Sequence, residues 1–260
     1  IWKLFEDLKE FFDLGELDVY SYFDMDHRIT LNEADIYGKK LIEFMLEKYI
    51  LILGSKKDSI IPDIKVNRVY SANGAAEKAR DYLNKYSDVP FTAVVSCKEF
   101  CKNHNVQNRV INSSPDLLIS RNGNIDFGQF KFSKKIKFKC FNQIENISFQ
   151  SNFFKLKYLD LIIQELKYFK EIDKKIYHLF YSLRHKPFVG VSTGFFSILH
   201  ALQEYPEHSI IISGIGMQGG KHYYNDKTVY SSNRANVDRE LIKRPKDKYF
   251  IRLFSPDKDL

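Results

Sequence analysis

Cysteine is scarce in this sequence, which has three among 260 residues. So small and odd a number does not fit a disulfide-stapled scaffold and is typical of a reducing compartment. Long apolar runs are lacking too, since no stretch of about 18 such residues occurs that would cross a bilayer. Charges interrupt the apolar residues of the opening IWKLFEDLKEFF, which is not the pattern of a signal peptide. We therefore expect a cytoplasmic protein.

The charge balance bears on whether the protein binds nucleic acid. Lysine and arginine total 40 against 33 aspartate and glutamate, a net charge of +7, without the clustered excess of a dedicated nucleic-acid binder. We expect no nucleic-acid partner. Hydrophobic residues reach 44%, with 22 phenylalanines and 16 tyrosines, which suffices for a large core and excludes a disordered chain.

Short continuous apolar runs, each ending at a small or polar turn, predict buried parallel strands. Helix-forming sequence follows the second and third runs, which indicates an α/β fold with a doubly wound, mostly parallel sheet. The predicted strands are 49–53, 68–71, 91–96, 116–120, 209–214 and 248–254.

Domain organisation follows from the same patterns, because no repeat or low-complexity linker marks a boundary. Residues 1–49 are predicted to form an N-terminal helical segment and residues 50–260 the α/β domain. Within that domain, 121–186 is predicted to be a lid or helical insertion. Its basic stretch KFSKKIKFK fits a lid or an edge hairpin, and 153–183 has the period of one long amphipathic helix or a helical pair.

Polar and small residues gather where the predicted strands end. Ligands of open α/β sheets bind at the carboxyl ends of the strands, and hydroxyls with free amides at a helix start suit a carboxylate or phosphate. The candidates for one binding edge are Gly54, Ser55, Asn73, Ser96, Ser192, Thr193, Gly194 and the loop 213–226.

A literal GxGxxG, formed by Gly214, Gly216 and Gly219, directly follows a predicted strand. In dinucleotide-binding folds these glycines let a pyrophosphate approach the start of a helix. The residues that follow, KHYYNDKTVYSSN, have no helical period. A nicotinamide-dependent oxidoreductase is therefore the alternative, and a helix beginning near residue 219 would favour it.

Two patterns suggest metal ligands, and neither is complete. Asp24 and Asp26 form a DxD before the first clear strand, and we interpret it as a surface feature. Cys97, Cys101 and His104 share one predicted helical region but lack a fourth ligand at a recognised spacing. We expect no metal site.

The order of features resembles the bacterial sialyltransferases of glycosyltransferase family 42 and the related Kdo transferases. The matching pieces cover roughly residues 50–100 and 190–255 of the chain. They are ILILGSKKDS, VYSANG with Asn73, TAVVSCKEF with Ser96, Ser192-Thr193-Gly194, Ser213-Gly214-Ile215 and the pair Tyr223 and Tyr224.

The resemblance implies a variant GT-A-like α/β/α nucleotide-binding fold with a lid, a CMP-sugar donor as substrate, and no metal or other cofactor. It implies transfer of sialic acid or Kdo to an oligosaccharide or glycolipid acceptor, in lipopolysaccharide or capsule, with peripheral association at the inner face of the membrane. By position, Gly54, Ser55 and Asn73 would contact the cytidine and phosphate, Ser192 and Thr193 the sugar carboxylate or the nucleotide, and Tyr223 and Tyr224 the departing phosphate.

One position departs from the family pattern, because Asn233 stands where those enzymes have their histidine base. An amide cannot accept a proton from an acceptor hydroxyl. Either His222 takes that role, or the mechanism differs and uses a carboxylate nucleophile, Asp226 or Asp238. Loss of the base also leaves a non-catalytic nucleotide-binding domain as an alternative.

Overall fold

The computed structural model describes residues 48–57, 59–185, 190–215, 220–222, 225–229, 237–241 and 253–257, of which 185, 220–222 and 225–229 are described by their backbone. The chain divides into two units, Ile1–Lys48 and Tyr49–Leu260. The fold below is that of the second unit.

A seven-stranded sheet, parallel throughout, forms the centre of this unit. In chain order its strands are β1 (Tyr49–Leu53), β2 (Arg68–Ala72), β3 (Phe91–Ser96), β4 (Leu117–Arg121), β5 (Lys137–Phe141), β6 (Ser209–Ser213) and β9 (Leu253–Phe254). The numbers β7 and β8 belong to a separate ribbon described below. The spatial order of the seven strands is β5-β4-β3-β2-β1-β6-β9. The order reverses beside β1, since β2 lies on one side of it and β6 on the other.

A separate two-stranded antiparallel ribbon consists of β7 (Gly220–His222) and β8 (Asn225–Val229). The helices are α1 (Ala76–Lys85), α2 (Cys97–Lys102), α3 (His104–Ser113), α4 (Gln143–Phe154), α5 (Tyr158–Leu166), α6 (Ile172–His185) and α7 (Thr193–Glu204). Short 3₁₀ turns occupy Asn73–Ala75 and Phe127–Gln129, and residues 237–241 are helical. Among the described residues, no helix has the length and apolarity to cross a membrane.

Of the two hydrophobic clusters among the described residues, the larger lies between the sheet and α7. Alternate strand residues such as Ile52, Tyr70 and Ile212 pack on Phe195 and Phe196 of that helix, and all five are at most 1% exposed. Near-continuous apolar strands are expected where both faces of a parallel sheet are covered. β1 and β6 are buried at every position, so the centre of the sheet is the most strongly anchored part of the fold.

The predicted doubly wound α/β fold is confirmed. The strands expected at 49–53 and 91–96 have those bounds, and the expected 116–120 is displaced by one residue to include Arg121. The helical period over 153–183 is a pair of helices, α5 and α6, preceded by α4.

Of the two alternatives for the basic stretch, the edge hairpin is wrong, because β5 pairs parallel to β4. Its first three residues are exposed, which is usual for a lysine-rich strand at the edge of a sheet. The lid function of 121–186 and the GT-A-like relationship stay predictions. The N-terminal helical segment predicted for 1–49 lies almost entirely outside the described residues.

Candidate functional site

The backbones that follow β1 and β6 touch at the point where the strand order reverses. Gly54 N donates to Ser213 O at 2.7 Å, and Lys56 N donates to Gly214 O at 2.9 Å. A Cβ on Gly54 would lie 2.6 Å from Ile215 N, and one on Gly214 would lie 2.7 Å from Gly54 O. Gly214 also has a left-handed φ of +75°. We call the region around Gly54 and Gly214 the β1–β6 crevice, because doubly wound sheets bind ligands where the strand order reverses.

A buried carboxylate and a lysine fix the segments that border this crevice. Asp257, 7% exposed, accepts from Ile60 N at 3.0 Å and from Gly214 N at 2.5 Å. Lys78 of α1 donates to Lys56 O at 2.5 Å and also contacts Ser59 Oγ. The segment after β1 is therefore held from two sides, and a half-buried ammonium group lies next to it.

Asn73 and Ser96, both predicted as binding residues, contact each other. The backbone N of Ser96 donates to Asn73 Oδ1 at 2.9 Å, which links the ends of β2 and β3. Asn73 has a φ of +50°, a left-handed value that asparagine adopts more readily than most residues. Its amide nitrogen has no hydrogen bond to any described residue, so a ligand can accept from it.

The two hydroxyls predicted at the start of α7, those of Ser192 and Thr193, have different environments. Ser192 is the N-cap, because its Oγ accepts from Phe195 N at 3.2 Å. Within the described structure, the half-buried Thr193 hydroxyl makes no hydrogen bond, so the cap leaves it to a ligand. A Cβ on Gly194 would lie 3.2 Å from the Ile215 side chain. The first turn of α7 therefore packs on the segment that borders the β1–β6 crevice.

Three side-chain oxygens hold three consecutive backbone N–H groups just before this helix. Gly190 N donates to Glu165 Oε1, Val191 N to Gln150 Oε1 and Ser192 N to Asp238 Oδ1, each at 2.9 Å. The three side chains are at most 7% exposed. We call Glu165, Gln150 and Asp238 the clasp. Bonds to buried groups of this kind fix backbone position, so the clasp sets where Ser192 and Thr193 lie.

Further buried groups extend the clasp to the end of β4. The fully buried Arg121 donates from Nη2 to Val191 O at 2.8 Å. Asn146, also fully buried, accepts from Gln150 Nε2 at 3.0 Å and donates to Asn122. Behind Glu165, His178 Nε2 lies 3.1 Å from its second oxygen. The segment 190–192 is thus connected to α4, α5 and α6 of the helical insertion.

Replacing Gln150 by leucine is expected to destabilise the protein by about 2 kcal/mol, because Val191 N–H loses its buried acceptor. Chemical unfolding measures this change as a lower midpoint at constant slope. Gln203→Leu is the matched control, since Gln203 is exposed on α7. It is expected to change stability by less than about 0.5 kcal/mol. Equal effects of the two substitutions would contradict the role given to the clasp.

Other predicted residues within the described ranges lie in or beside β1, β6, β7 and β8 and in the helical residues 237–241, and Ser213 joins the crevice through its carbonyl, which accepts from Gly54 N. His222 ends β7, and Asp226 lies in β8. Ser213 ends β6 with its hydroxyl fully buried, and Ser55 beside Gly54 is half-buried. Asp238 contacts Ser192 as a clasp member, and its role as a nucleophile stays a prediction. Tyr223, Tyr224, Asn233 and the DxD of Asp24 and Asp26 lie outside the described residues.

The glycine motif is followed by a strand. Residues 220–222 form β7, which pairs antiparallel with β8. A dinucleotide site needs a helix N-terminus at this place, where the pyrophosphate binds. The oxidoreductase alternative would be favoured by a helix beginning near residue 219, whereas residues 220–222 and 225–229 form strands.

Cys97 and Cys101 lie in α2 as expected, and their environment disfavours the thiolate. Burial raises the pKa of the Cys97 thiol, and the neighbouring Cys101 thiol raises it further. A thiol must lose its proton to bind zinc. Across the ranges that the structure describes, no three histidine, cysteine or acidic side chains are placed to hold a metal ion.

A cavity of about 440 Å³ lies at the opposite edge of the sheet. Its lining includes Pro90 and Phe91 at the start of β3, together with Asp116 and Lys134. Asp116 and Lys134 are paired with each other at 2.6 Å. Because ligands of such sheets bind at the carboxyl ends of the strands, we assign the site to the β1–β6 crevice rather than to this cavity.

Sequence reasoning missed the residues that support the site: Lys78, Asp257, Gln150 and Glu165. Gln150 and Glu165 resemble ordinary polar positions of amphipathic helices, and Asp257 lies 43 residues after the glycine that it holds. No local signal marks them, because their partners are determined by tertiary packing.

Comparison with known proteins gives no relative for this arrangement: no family model, no curated protein and no solved structure matches the chain.

Proposed function

We propose that the protein is a metal-independent glycosyltransferase that moves an acidic keto-sugar, sialic acid or Kdo, from a CMP donor to a surface glycan. The donor is its substrate, and no cofactor takes part. The acceptor is an oligosaccharide or glycolipid of a lipopolysaccharide or capsule, reached through peripheral association with the inner face of the membrane.

The observation that carries the proposal is the β1–β6 crevice with the start of α7 beside it. Gly54 and Gly214 have no Cβ, so the ends of β1 and β6 approach each other closely, at the position where doubly wound sheets bind nucleotides. The first turn of α7 offers backbone N–H groups and the Thr193 hydroxyl to an anion. A CMP-sugar of this class carries both a phosphate and a carboxylate, so two anionic groups match two adjacent anion-binding elements.

Charge near the crevice supports an anionic ligand. Lys78 brings its ammonium to the segment after β1, and the chain as a whole carries +7. A positive potential at a cleft raises the local concentration of a negatively charged substrate.

A non-catalytic nucleotide-binding domain is the second candidate, and Asp238 is the observation that favours it. Its carboxylate is 3% exposed and accepts from Ser192 N, so one of the two candidate nucleophiles already has a structural contact. An intact donor site without turnover would identify this function.

Thermal shift against CMP, CDP, UDP, GDP and NAD at matched concentrations tests the proposal. A ligand that binds only the folded state raises stability according to the ratio of its concentration to Kd. We expect CMP to stabilise the protein and NAD to have no effect. Stabilisation by NAD alone would identify the oxidoreductase.

Thr193→Val should reduce the rise in melting temperature that CMP-sialic acid or CMP-Kdo causes. The melting temperature of the free protein should not change, because Ser192 keeps its role as the N-cap of α7.

Tyr224→Phe is expected to lower turnover by about ten- to a thousand-fold if the hydroxyl stabilises the departing phosphate. Release of CMP from CMP-sialic acid and CMP-Kdo measures it. Tyr177→Phe, an exposed tyrosine of α6, is the control and should retain full activity. Unchanged turnover of the Tyr224 variant would remove this residue from the mechanism.

Activity is expected to persist in a strong chelator, because tyrosine hydroxyls would stabilise the departing phosphate in place of a metal ion. Initial rates with and without EDTA measure this. Loss of activity that manganese restores would revive Asp24 and Asp26 as metal ligands.

A further inference from the structure

The outer face of α6 exposes large apolar side chains in one stripe. Ile172, Ile176, Phe180 and Leu183 are 71%, 49%, 67% and 49% exposed. At 100° per residue these positions fall within about a quarter of the helix circumference. We call these four residues the α6 stripe. Monomeric proteins scatter single apolar residues over their surface, whereas a continuous stripe marks an interaction site.

Other positions of α6 attach the helix to the domain. Ser182 is fully buried, Leu179 packs on the cluster around Leu161 and Ile162, and His178 reaches Glu165 of α5. Tyr158 donates to Ser182 O at 3.1 Å. The helix therefore presents the stripe from a fixed position.

Basic residues predominate in the part of the chain that contains the stripe. Between Lys155 and His185 the sequence has seven lysines and arginines against four acidic residues, a local net charge of +3. One of the four acidic residues, Glu165, is buried in the clasp, and one of the seven cations, Lys167, is paired with Glu240 outside this range at 2.6 Å, so the balance stays at +3. The exposed cations include Lys155, Lys157, Lys170 and Arg184.

We propose that the α6 stripe binds the surface of a bilayer containing anionic lipid. An amphipathic helix with apolar residues on one side and lysines around them lies in the plane of the interface, its apolar side chains among the acyl chains and its cations at the headgroups. A second copy of this chain is disfavoured, because twofold pairing of the stripe would bring together two segments that both carry a net positive charge. The inference does not depend on the donor or on any transferase activity.

Flotation of the full chain with vesicles tests the proposal. We expect binding to vesicles of phosphatidylcholine mixed with phosphatidylglycerol, little binding to pure phosphatidylcholine, and a decrease as salt rises. The double variant Ile176→Ser/Phe180→Ser should lower the partition coefficient by about tenfold or more, because two apolar side chains no longer enter the bilayer. Both positions are solvent-exposed, so the fold is expected to persist.

The matched control is Phe138→Ser/Ile144→Ser, which removes two exposed apolar residues, 45% and 69% exposed, from other parts of the surface. It should bind vesicles like the parent. Absence of binding, equal binding to both lipid compositions, or equal losses in the two double variants would each overturn the proposal. Dimerisation in sedimentation that Phe180→Ser abolishes, without vesicle binding, would instead identify a second copy as the occupant. Nucleotide stabilisation by CMP serves as an independent readout, because it should be unchanged in both double variants.

Discussion

Gly54→Ala is expected to destabilise the protein by about 3 kcal/mol, near the upper range for a small-to-large change in a packed interior. The new Cβ would lie 2.6 Å from Ile215 N and closer still to the carbonyl of Gly214. Neither group is the flexible end of a side chain. Asp257 holds Gly214 N from behind at 2.5 Å, so β1 and β6 have to separate at their carboxyl ends.

The same substitution is expected to abolish stabilisation by CMP, because the close backbone approach in the β1–β6 crevice is lost. Urea unfolding gives the change in stability, and thermal shift gives the change in binding. Gly128→Ala is the matched control: Gly128 is exposed, and its added Cβ would meet only the Asp126 carboxylate at 3.2 Å. If Gly54→Ala were as stable as Gly128→Ala, the two strand ends would not be in contact.

Local sequence patterns predicted the centre of the fold well. β1 and β3 are continuous apolar runs followed by small or polar residues, and their bounds agree with the prediction. The periodic signal is strong there because both faces of the strand are buried. The grouping of the candidate residues was also predictable in outline, since Gly54, Asn73 and Ser96 lie at the carboxyl ends of β1, β2 and β3, which are parallel neighbours; that these residues bind a ligand stays a prediction.

The helical insertion was less predictable, for reasons visible in single residues. The residue that caps the C-terminus of α4 is Lys155, which has a left-handed φ of +53°. Glycine is the usual residue at such a position, so the sequence does not mark where this helix ends. β5 has exposed lysines at alternate positions, a pattern that an antiparallel hairpin would share. Its parallel pairing depends on how the chain crosses from β4.

The clasp shows why supporting residues escape sequence reasoning. Gln150 contacts Val191, 41 residues away, and Glu165 contacts Gly190, 25 residues away. Both acceptors lie in helices whose polar positions would normally face water. Only the packing of α4 and α5 against the sheet converts them into buried partners of a backbone segment.

Acidification is expected to destabilise the protein through His200, a fully enclosed histidine of α7. Its Nδ1 lies 3.2 Å from the Tyr70 hydroxyl, and aromatic rings including Phe141, Phe149 and Phe196 surround it. Burial, with smaller effects from Lys139 and Arg68, lowers the pKa of His200 to about 3. The half-exposed Glu204 carboxylate, 3.9 Å from Nε2, opposes this shift, but it is partly solvated and the loss of hydration dominates.

The sign of the effect follows from the lowered pKa. An unfolded histidine titrates near pH 6.5, so between that pH and about 3 the unfolded chain binds one more proton than the folded protein. This contribution to stability is complete above pH 6.5 and is lost as the pH falls, by about 1.4 kcal/mol per unit or roughly 2 kcal/mol between pH 7 and 5. His200→Gln should remove that part of the slope in urea unfolding across this interval. His104→Gln, at an exposed histidine, should retain the parent slope. Identical slopes in the parent and in His200→Gln would mean that His200 can be protonated without unfolding and is not enclosed as described.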